Sequence, residues 1–264
     1  MTKAAHSAAF FKDIMDIKIM SFNLRCLDDG AGHSVFERAP RALATIKEEA
    51  PDLIGLQECR KVWEEHIEKG LLGEYDMLLK YRNLTVDREA SPILWKKDRF
   101  ALIDSGYFWL SDTPSLESRG WDEIGCFRMC VYVILEDLRS KTRFCFMNTH
   151  FGFGADCHKK SAELILSQKK KISSYQTVLV GDFNMGFDDA AYNVLTDRMY
   201  DVNMQTARDE NPTYHHYGRA DKMRHIDYCF VDKSIKPLDY YAIYRTFEGK
   251  YSSDHYPIIA KIEI

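Results

Sequence analysis

The 264-residue chain lacks any apolar run long enough to span a membrane. Its opening stretch, MTKAAHSAAFFKDIMDIKIM, lacks the unbroken apolar centre of a secretory signal, because Lys12, Asp13 and Asp16 interrupt it. There is no excess of positive charge: 36 Lys and Arg against 40 Asp and Glu leave a net charge of −4. No global basic field therefore draws it to nucleic acid. Nor is there a basic patch interleaved with aromatics, which weakens a long duplex as substrate. A zinc pattern is also missing. Of the seven cysteines only Cys126 and Cys130 lie close together, and no second Cys or His pair completes a site. This odd, scattered set, partly within strand-like runs, fits free thiols in a reducing, cytoplasmic compartment. Internal repeats, low-complexity segments and an obvious linker are absent. What remains, 45% hydrophobic and 29% charged, suffices for one globular domain. The expected organisation is an N-terminal tail over 1–16 and a single domain over 17–264.

Short β-like runs alternate with amphipathic helices. Strands are predicted at 17–23, 52–57, 75–79, 93–95, 101–110, 127–135, 143–148, 177–180, 226–231, 240–244 and 256–264. Helices are predicted at 36–50, 63–69, 159–171 and 189–195, the first with Phe36, Ala39, Leu43 and Ile46 on its apolar stripe. The alternation is not strictly βαβ, which points to a mixed-sheet α/β sandwich rather than a barrel. Residues 111–126, SDTPSLESRGWDEIGC, form a connection long enough to be a lid or binding loop.

The strand tips carry the chemistry. The run TVLV breaks at Gly181 and delivers Asp182 and Asn184 just past its end, with Phe183 pointing the other way. Other tips end in Asn23, in Glu58, and in Asn148 with His150. Asp254 and His255 precede the last strand, and Asp227 follows His225 by two residues. Each has a plain local reading: an Asx turn, a solvated helix start, a core histidine, a structural ion pair, a helix cap. Together, so many strand ends closing in Asn, Asp, Glu or His exceed what turn chemistry requires. Arg128, after the long loop, suits a bidentate phosphate clamp or a salt bridge.

The motifs MSFNLR (20–25), GLQE (55–58), FMNTH (146–150), GDFN (181–184), HIDY (225–228) and SDH (253–255), in this order, resemble the endonuclease/exonuclease/phosphatase superfamily of metal-dependent phosphoesterases. FWLSDTP (108–114), RGWD (119–122) and Arg128 look closest to its bacterial branch related to deadenylase and nocturnin-like members. The resemblance implies a four-layer α/β sandwich: two mixed β-sheets packed face to face with flanking helices. It implies Mg²⁺ or Mn²⁺ as cofactor, with Glu58 the principal ligand and Asn23 and Asp254 beside it; hard oxygen donors suit such ions.

Further roles follow from the same resemblance. Asp182 would orient or deprotonate the attacking water, and Asn184 would hold a phosphate oxygen or the same metal. His255 would contact the scissile phosphate, oriented by Asp227. His150 would act as acid or hydrogen-bond donor, and Arg128 with Asn148 would bind substrate phosphate. The implied activity is hydrolysis of a phosphodiester by direct attack of water, of the nuclease or nucleotide phosphodiesterase type. The alternatives are a phosphatase of sugar or inositol phosphates and a catalytically silent phospho-ligand module. The expected partner is a phosphate-ester substrate, such as a nucleotide or single-stranded nucleic acid, with neither a membrane nor an obligate protein partner.

Overall fold

The computed structural model describes residues 15–86, 88–122 and 124–264. Residues 1–14 of the expected tail lie outside them. Met15 and Asp16, assigned to that tail by the sequence reading, are part of the fold: Met15 is buried in the core and Asp16 opens the first strand.

The elements run β1 (Asp16–Asn23), α1 (Val35–Glu49), β2 (Leu53–Gln57), α2 (Lys61–Leu71), β3 (Tyr75–Leu78), β4 (Ile93–Lys96), β5 (Phe100–Trp109), β6 (Met129–Asp137), β7 (Arg143–His150), α3 (Ala155–Ile172), β8 (Thr177–Asp182), α4 (Ala190–Thr196), β9 (Met199–Asp201), α5 (Val202–Gln205), β10 (Asp227–Asp232), β11 (Lys236–Ala242) and β12 (Ile258–Glu263). They build two six-stranded sheets, ordered β11-β12-β1-β2-β4-β3 and β5-β6-β7-β8-β10-β9. Each is mixed, with one parallel pair near its centre, β1–β2 and β7–β8. The expected sandwich is thus the observed one. β9 and α5 are additions, in a segment whose polarity reads as loop. No helix among the described residues is long and apolar enough to cross a membrane.

Side-chain alternation divides the strands between three cores. Ile17 and Ile19 of β1 meet Phe144, Phe146, Val178, Val180 and Cys229 between the sheets. Met20 and Phe22, one residue out of phase, pack under α1 and α2 with Trp63 and Ile67. On the far side Met147, Leu179, Tyr228 and Phe230 pack under α3 and α4 with Ala162, Ile165 and Leu195. The long α1 is fixed at both ends. Ser34 and Glu37 form a capping box, and Ala50 closes the helix in the left-handed region at φ 46° just before Pro51. Its buried face runs through Val35, Ala39, Ala42 and Ile46, so Phe36, expected on that stripe, is 72% exposed. The stripe starts one residue earlier than the sequence periodicity suggests.

Arg38 lies on this same buried face, fully enclosed. Its guanidinium donates to the carbonyls of Leu24, Arg25, Leu27 and His33, which ties down the loop after β1. Trp63 Nε1 also donates to the Arg25 carbonyl, at 2.9 Å. A loop with this many satisfied carbonyls holds the tip of β1 in one place.

The sheets approach closely where β2 faces β7 and β8. A Cβ added at Gly55 would lie 2.5 Å from Val180 Cγ2 and 2.9 Å from the Asn148 amide. Gly55→Ala is therefore expected to cost about 1–3 kcal/mol by overpacking, read as a lower midpoint in denaturant at unchanged slope.

Candidate active site

Along the strands that face each other, the inward positions change from apolar to polar toward one end. In β1 they read Ile17, Ile19, Ser21, Asn23; in β7, Phe144, Phe146, Asn148, His150; in β8, Val178, Val180, Asp182. β10 runs the other way and reads Asp227, Cys229, Val231. Register then aligns the tips. Asp182 pairs with His150 on one side and Asp227 on the other, so three titratable side chains sit abreast in one sheet.

Asp182 is the hub. Its Oδ2 accepts from Asn23 Nδ2 at 2.9 Å, a bond across the two sheets, and its Oδ1 accepts from the Asn184 amide at 3.0 Å. His150 Nε2 lies 3.6 Å and His255 Nε2 3.7 Å from the same Oδ2. His255 Nδ1 pairs with Asp227 Oδ2 at 2.8 Å. Burial, and then the nearby Asp227 charge, push the Asp182 carboxyl well above the usual carboxylate range. Burial would push the His255 imidazole down, but the Asp227 and Asp182 charges outweigh it and raise it to about 10. His150 goes the other way. Burial and the adjacent Arg128 and Arg82 charges hold it well below its ordinary value, so it is neutral.

Glu58 reaches this layer from the facing sheet. It follows β2 with left-handed backbone at φ 57°, which turns a side chain that would otherwise point under the helices. Its Oε2 accepts from the Cys26 amide at 2.9 Å and its Oε1 from Asn23 Nδ2 at 3.2 Å. Burial would raise this carboxyl, yet the Cys26 and Asn23 bonds and the His255 charge hold it below the usual range. Asp254 is buried nearby; burial raises its carboxyl, and the Glu58 charge adds to that. Arg25 Nε stands 3.7 Å from it, and Ser253 Oγ lies 3.2 Å from its Oδ1.

The donor chemistry fits a hard divalent cation. Glu58 and Asp254 offer carboxylate oxygen, and the repulsion between them is of a kind that a cation relieves; Asn23, whose Nδ2 faces Glu58 and whose Oδ1 accepts the Arg25 amide, would add an oxygen by turning its amide over. Two groups among the described residues have closely converging donor atoms: Asp182 with Asp227 and His255, and Glu58 with Cys26 and Glu89. The first lies at the hub itself and could also hold a metal ion. In the second, Glu89 is paired with Arg60 and Arg82.

Arg128 is only 5% exposed, and its Nε and Nη1 have no partner among the described residues. A buried guanidinium with free donors is costly unless something accepts from it. Asn184, in left-handed backbone at φ 52°, is half-buried and donates from Nδ2 to the Phe151 carbonyl at 3.1 Å. Asn148 is a correction. Expected at substrate phosphate, it lies fully buried one layer deeper, donating to the carbonyls of Leu56 and Pro92 and accepting from Gln57. It joins the sheets and has no group left for a ligand. His215 is buried against Tyr256 at 3.9 Å between ring centroids, and its amide donates to the Asp254 carbonyl.

Residues the sequence reading passes over complete the frame. Thr213 Oγ1 accepts the amides of Ile226 and Asp227, Tyr214 stands edge-on to His255 at 5.1 Å, and Ser253 donates to the Asn23 carbonyl at 2.7 Å. Ser253 had a signal, its place in SDH, and Arg38 had another, as a charged residue on an apolar helix face.

The sequence pattern of the Endonuclease/Exonuclease/phosphatase family matches residues 20–255. The chain belongs to that family. Its members are metal-dependent enzymes that hydrolyse phosphoesters, and this chain is an enzyme of that class. An endonuclease/exonuclease/phosphatase structure from Bacteroides vulgatus is 28% identical, with a TM-score of 0.87, over 95% of this chain and 99% of that one. A mannosyl-6-phosphatase of Bacteroides thetaiotaomicron is 25% identical, with a TM-score of 0.83, over 93% and 99%. The human nocturnin catalytic domain, solved with a sulfate anion, shares the fold at 16% identity and a TM-score of 0.74, over 96% and 97%.

The Glu58 carboxyl has a pH consequence. Its value in the fold lies below its unfolded value of 4.5, so the stability it contributes is present above that pH and is lost as pH falls below it. In metal-free protein, Glu58→Gln should flatten the acid limb of a stability–pH curve measured by urea melts, relative to wild type. An unchanged limb would place the acid sensitivity elsewhere.

Proposed function

We propose that the enzyme hydrolyses a small phosphomonoester, of a sugar or cyclitol, by direct attack of water. The observation that carries the reaction type is the Asp182 hub: a carboxylate of raised proton affinity beside an imidazolium, with a cation-friendly oxygen set on the facing sheet. The similarity to a mannosyl-6-phosphatase supports a phosphomonoester of a sugar.

The roles follow from the geometry. Glu58, with Asn23 and Asp254, would hold Mg²⁺ or Mn²⁺. The ion, when bound, supplies positive charge to the phosphoryl oxygens. Asp182 takes the proton of the attacking water, for which a raised affinity is an advantage. His255 stays charged because Asp227 holds its Nδ1, and its Nε2 donates to a phosphoryl oxygen. Asn184 donates to another. His150 is neutral, so its part is a hydrogen bond to the leaving oxygen rather than delivery of a full proton. Arg128 turns its unpartnered Nε and Nη1 to the phosphate, which satisfies both. The water oxygen bonds to phosphorus as the bond to the alcohol oxygen breaks; the leaving alkoxide takes a proton from solvent water, the proton held by Asp182 is returned to solvent, and inorganic phosphate and the alcohol leave.

A phosphodiester of a nucleotide is the second reading. Phe153, 47% exposed with Arg128 at 5.7 Å from its ring, is a surface on which a base could stack.

With Mg²⁺ or Mn²⁺, purified enzyme should release phosphate from hexose or inositol phosphates faster than it cleaves a short oligonucleotide, and EDTA should abolish both. Faster oligonucleotide cleavage would favour the diester. Asp182→Asn should lower kcat by about 10²–10⁴-fold while leaving the melting temperature equal or higher, since a buried carboxylate beside Asp227 is removed. Full activity in that variant would refute the assignment of the base.

A further inference from the structure

We propose that a pocket flanking the catalytic layer binds the alcohol portion of the substrate, and that this alcohol is a carbohydrate or cyclitol ring read chiefly by hydrogen-bond acceptors. The inference rests on the phosphomonoester reading above and adds the residues that select the alcohol.

The pocket measures about 480 Å³, within the range of small-molecule sites. Gly186, two residues beyond Asn184, and Ile226, next to Asp227, both line it, so its wall continues the two strand tips of the reaction centre. Its inner wall is the half-buried ring of Phe187 and the buried ring of His225, stacked at 4.8 Å. Asp188, Glu210, Lys222 and Arg224 form an exposed rim.

The His225 ring is the informative group. It is only 6% exposed, and its Nε2 has no partner among the described residues. Its Nδ1 faces the Asn211 carbonyl at 2.8 Å. A carbonyl only accepts, so that bond puts the proton on Nδ1 and leaves Nε2 an acceptor in the neutral ring. Burial, which lowers its proton affinity, keeps the ring neutral. A buried acceptor calls for a ligand that donates. The rim carboxylates of Asp188 and Glu210 are further acceptors, and Lys222 and Arg224 balance them. That balance does not favour a second phosphate or a polyanion backbone. Hydroxyls that donate inward, beside an aromatic ring that takes the C–H face, are the chemistry of a sugar or cyclitol.

The test compares wild type, His225→Phe and the double variant Asp188→Ala/Glu210→Ala, each supplied with Mg²⁺. Substrates are mannose 6-phosphate, myo-inositol 1-phosphate and p-nitrophenyl phosphate, whose leaving group carries no further hydroxyl. The expected result is a KM for the hydroxylated substrates raised about tenfold, with p-nitrophenyl phosphate turnover within about twofold of wild type. Parallel losses on all three substrates, or no change on any, would overturn the pocket assignment. The rim variant, at exposed positions, carries the test should His225→Phe fail to fold. Saturation-transfer NMR with the methylene phosphonate analogue of mannose 6-phosphate separates binding from chemistry. Binding that weakens in the variants, without hydrolysis by wild type, would support the pocket and refute the phosphatase reading. Hydrolysis with binding indifferent to His225, Asp188 and Glu210 would do the reverse.

Discussion

The hydrogen bond from Asn23 to Asp182 joins two sheets at the place where their facing surfaces turn from apolar to polar. Everything else at the site is arranged around it. Below this layer the sheets meet through aliphatic and aromatic side chains, with Gln57 and Asn148 as a polar rung one step down. Above it, the loops after β1, β2 and β8 and the segment before β12 bring Arg25, Glu58, Asn184 and Asp254 to the same level. If the sheets slid by one residue, Asp182 would lose Asn23, and Glu58, which stays with Asn23 on its own sheet, would be carried away from Asp182 and His255. The apolar core between the sheets is what fixes their relative position; the catalytic layer inherits that precision.

Such a layer works against stability. Asp182, Asp227, Asp254, His255 and Arg128 are all buried. Taking charges out of water costs several kcal/mol each unless they are paired. The pairing here is deliberately incomplete: Asp227 Oδ1, His150 Nδ1 and two Arg128 nitrogens have no partner among the described residues. The large cores on either side of the sheets, and the fully satisfied Arg38 clamp, hold a site that would otherwise relax. The same incompleteness is what makes the residues chemically available, since a carboxylate with every lone pair filled accepts no proton.

Much of the fold was legible because period-two alternation and short apolar runs are local properties. Strand tips such as Asp182 and Asn23 could be found by where a run ends. Depth could not. Asn148 and His150 share a face of β7, and only the register with β8 shows that one lies at the site and the other beneath it. The phase of α1 was missed by one residue because Phe36 is apolar and exposed, and tertiary packing rather than hydrophobicity decides which stripe is buried. β9 and α5 escaped because NMQTARDE reads as loop until Asp201 caps it. The left-handed turn at Glu58 has no sequence signature at all, since glutamate disfavours it; the surrounding hydrogen bonds impose it.

The two-residue periodicity of the inward faces also acts as a reading frame. A single-residue insertion inside β1, β7, β8 or β10 would turn the polar tip outward and an apolar neighbour inward. A gain or loss of two would move the site one layer up or down the sheets. The connection at 111–126 has no such frame and can lengthen or shorten without shifting the register of the strand tips. Substrate range and catalytic competence are therefore free to diverge separately within this architecture: one changes by whole loops, the other hardly at all.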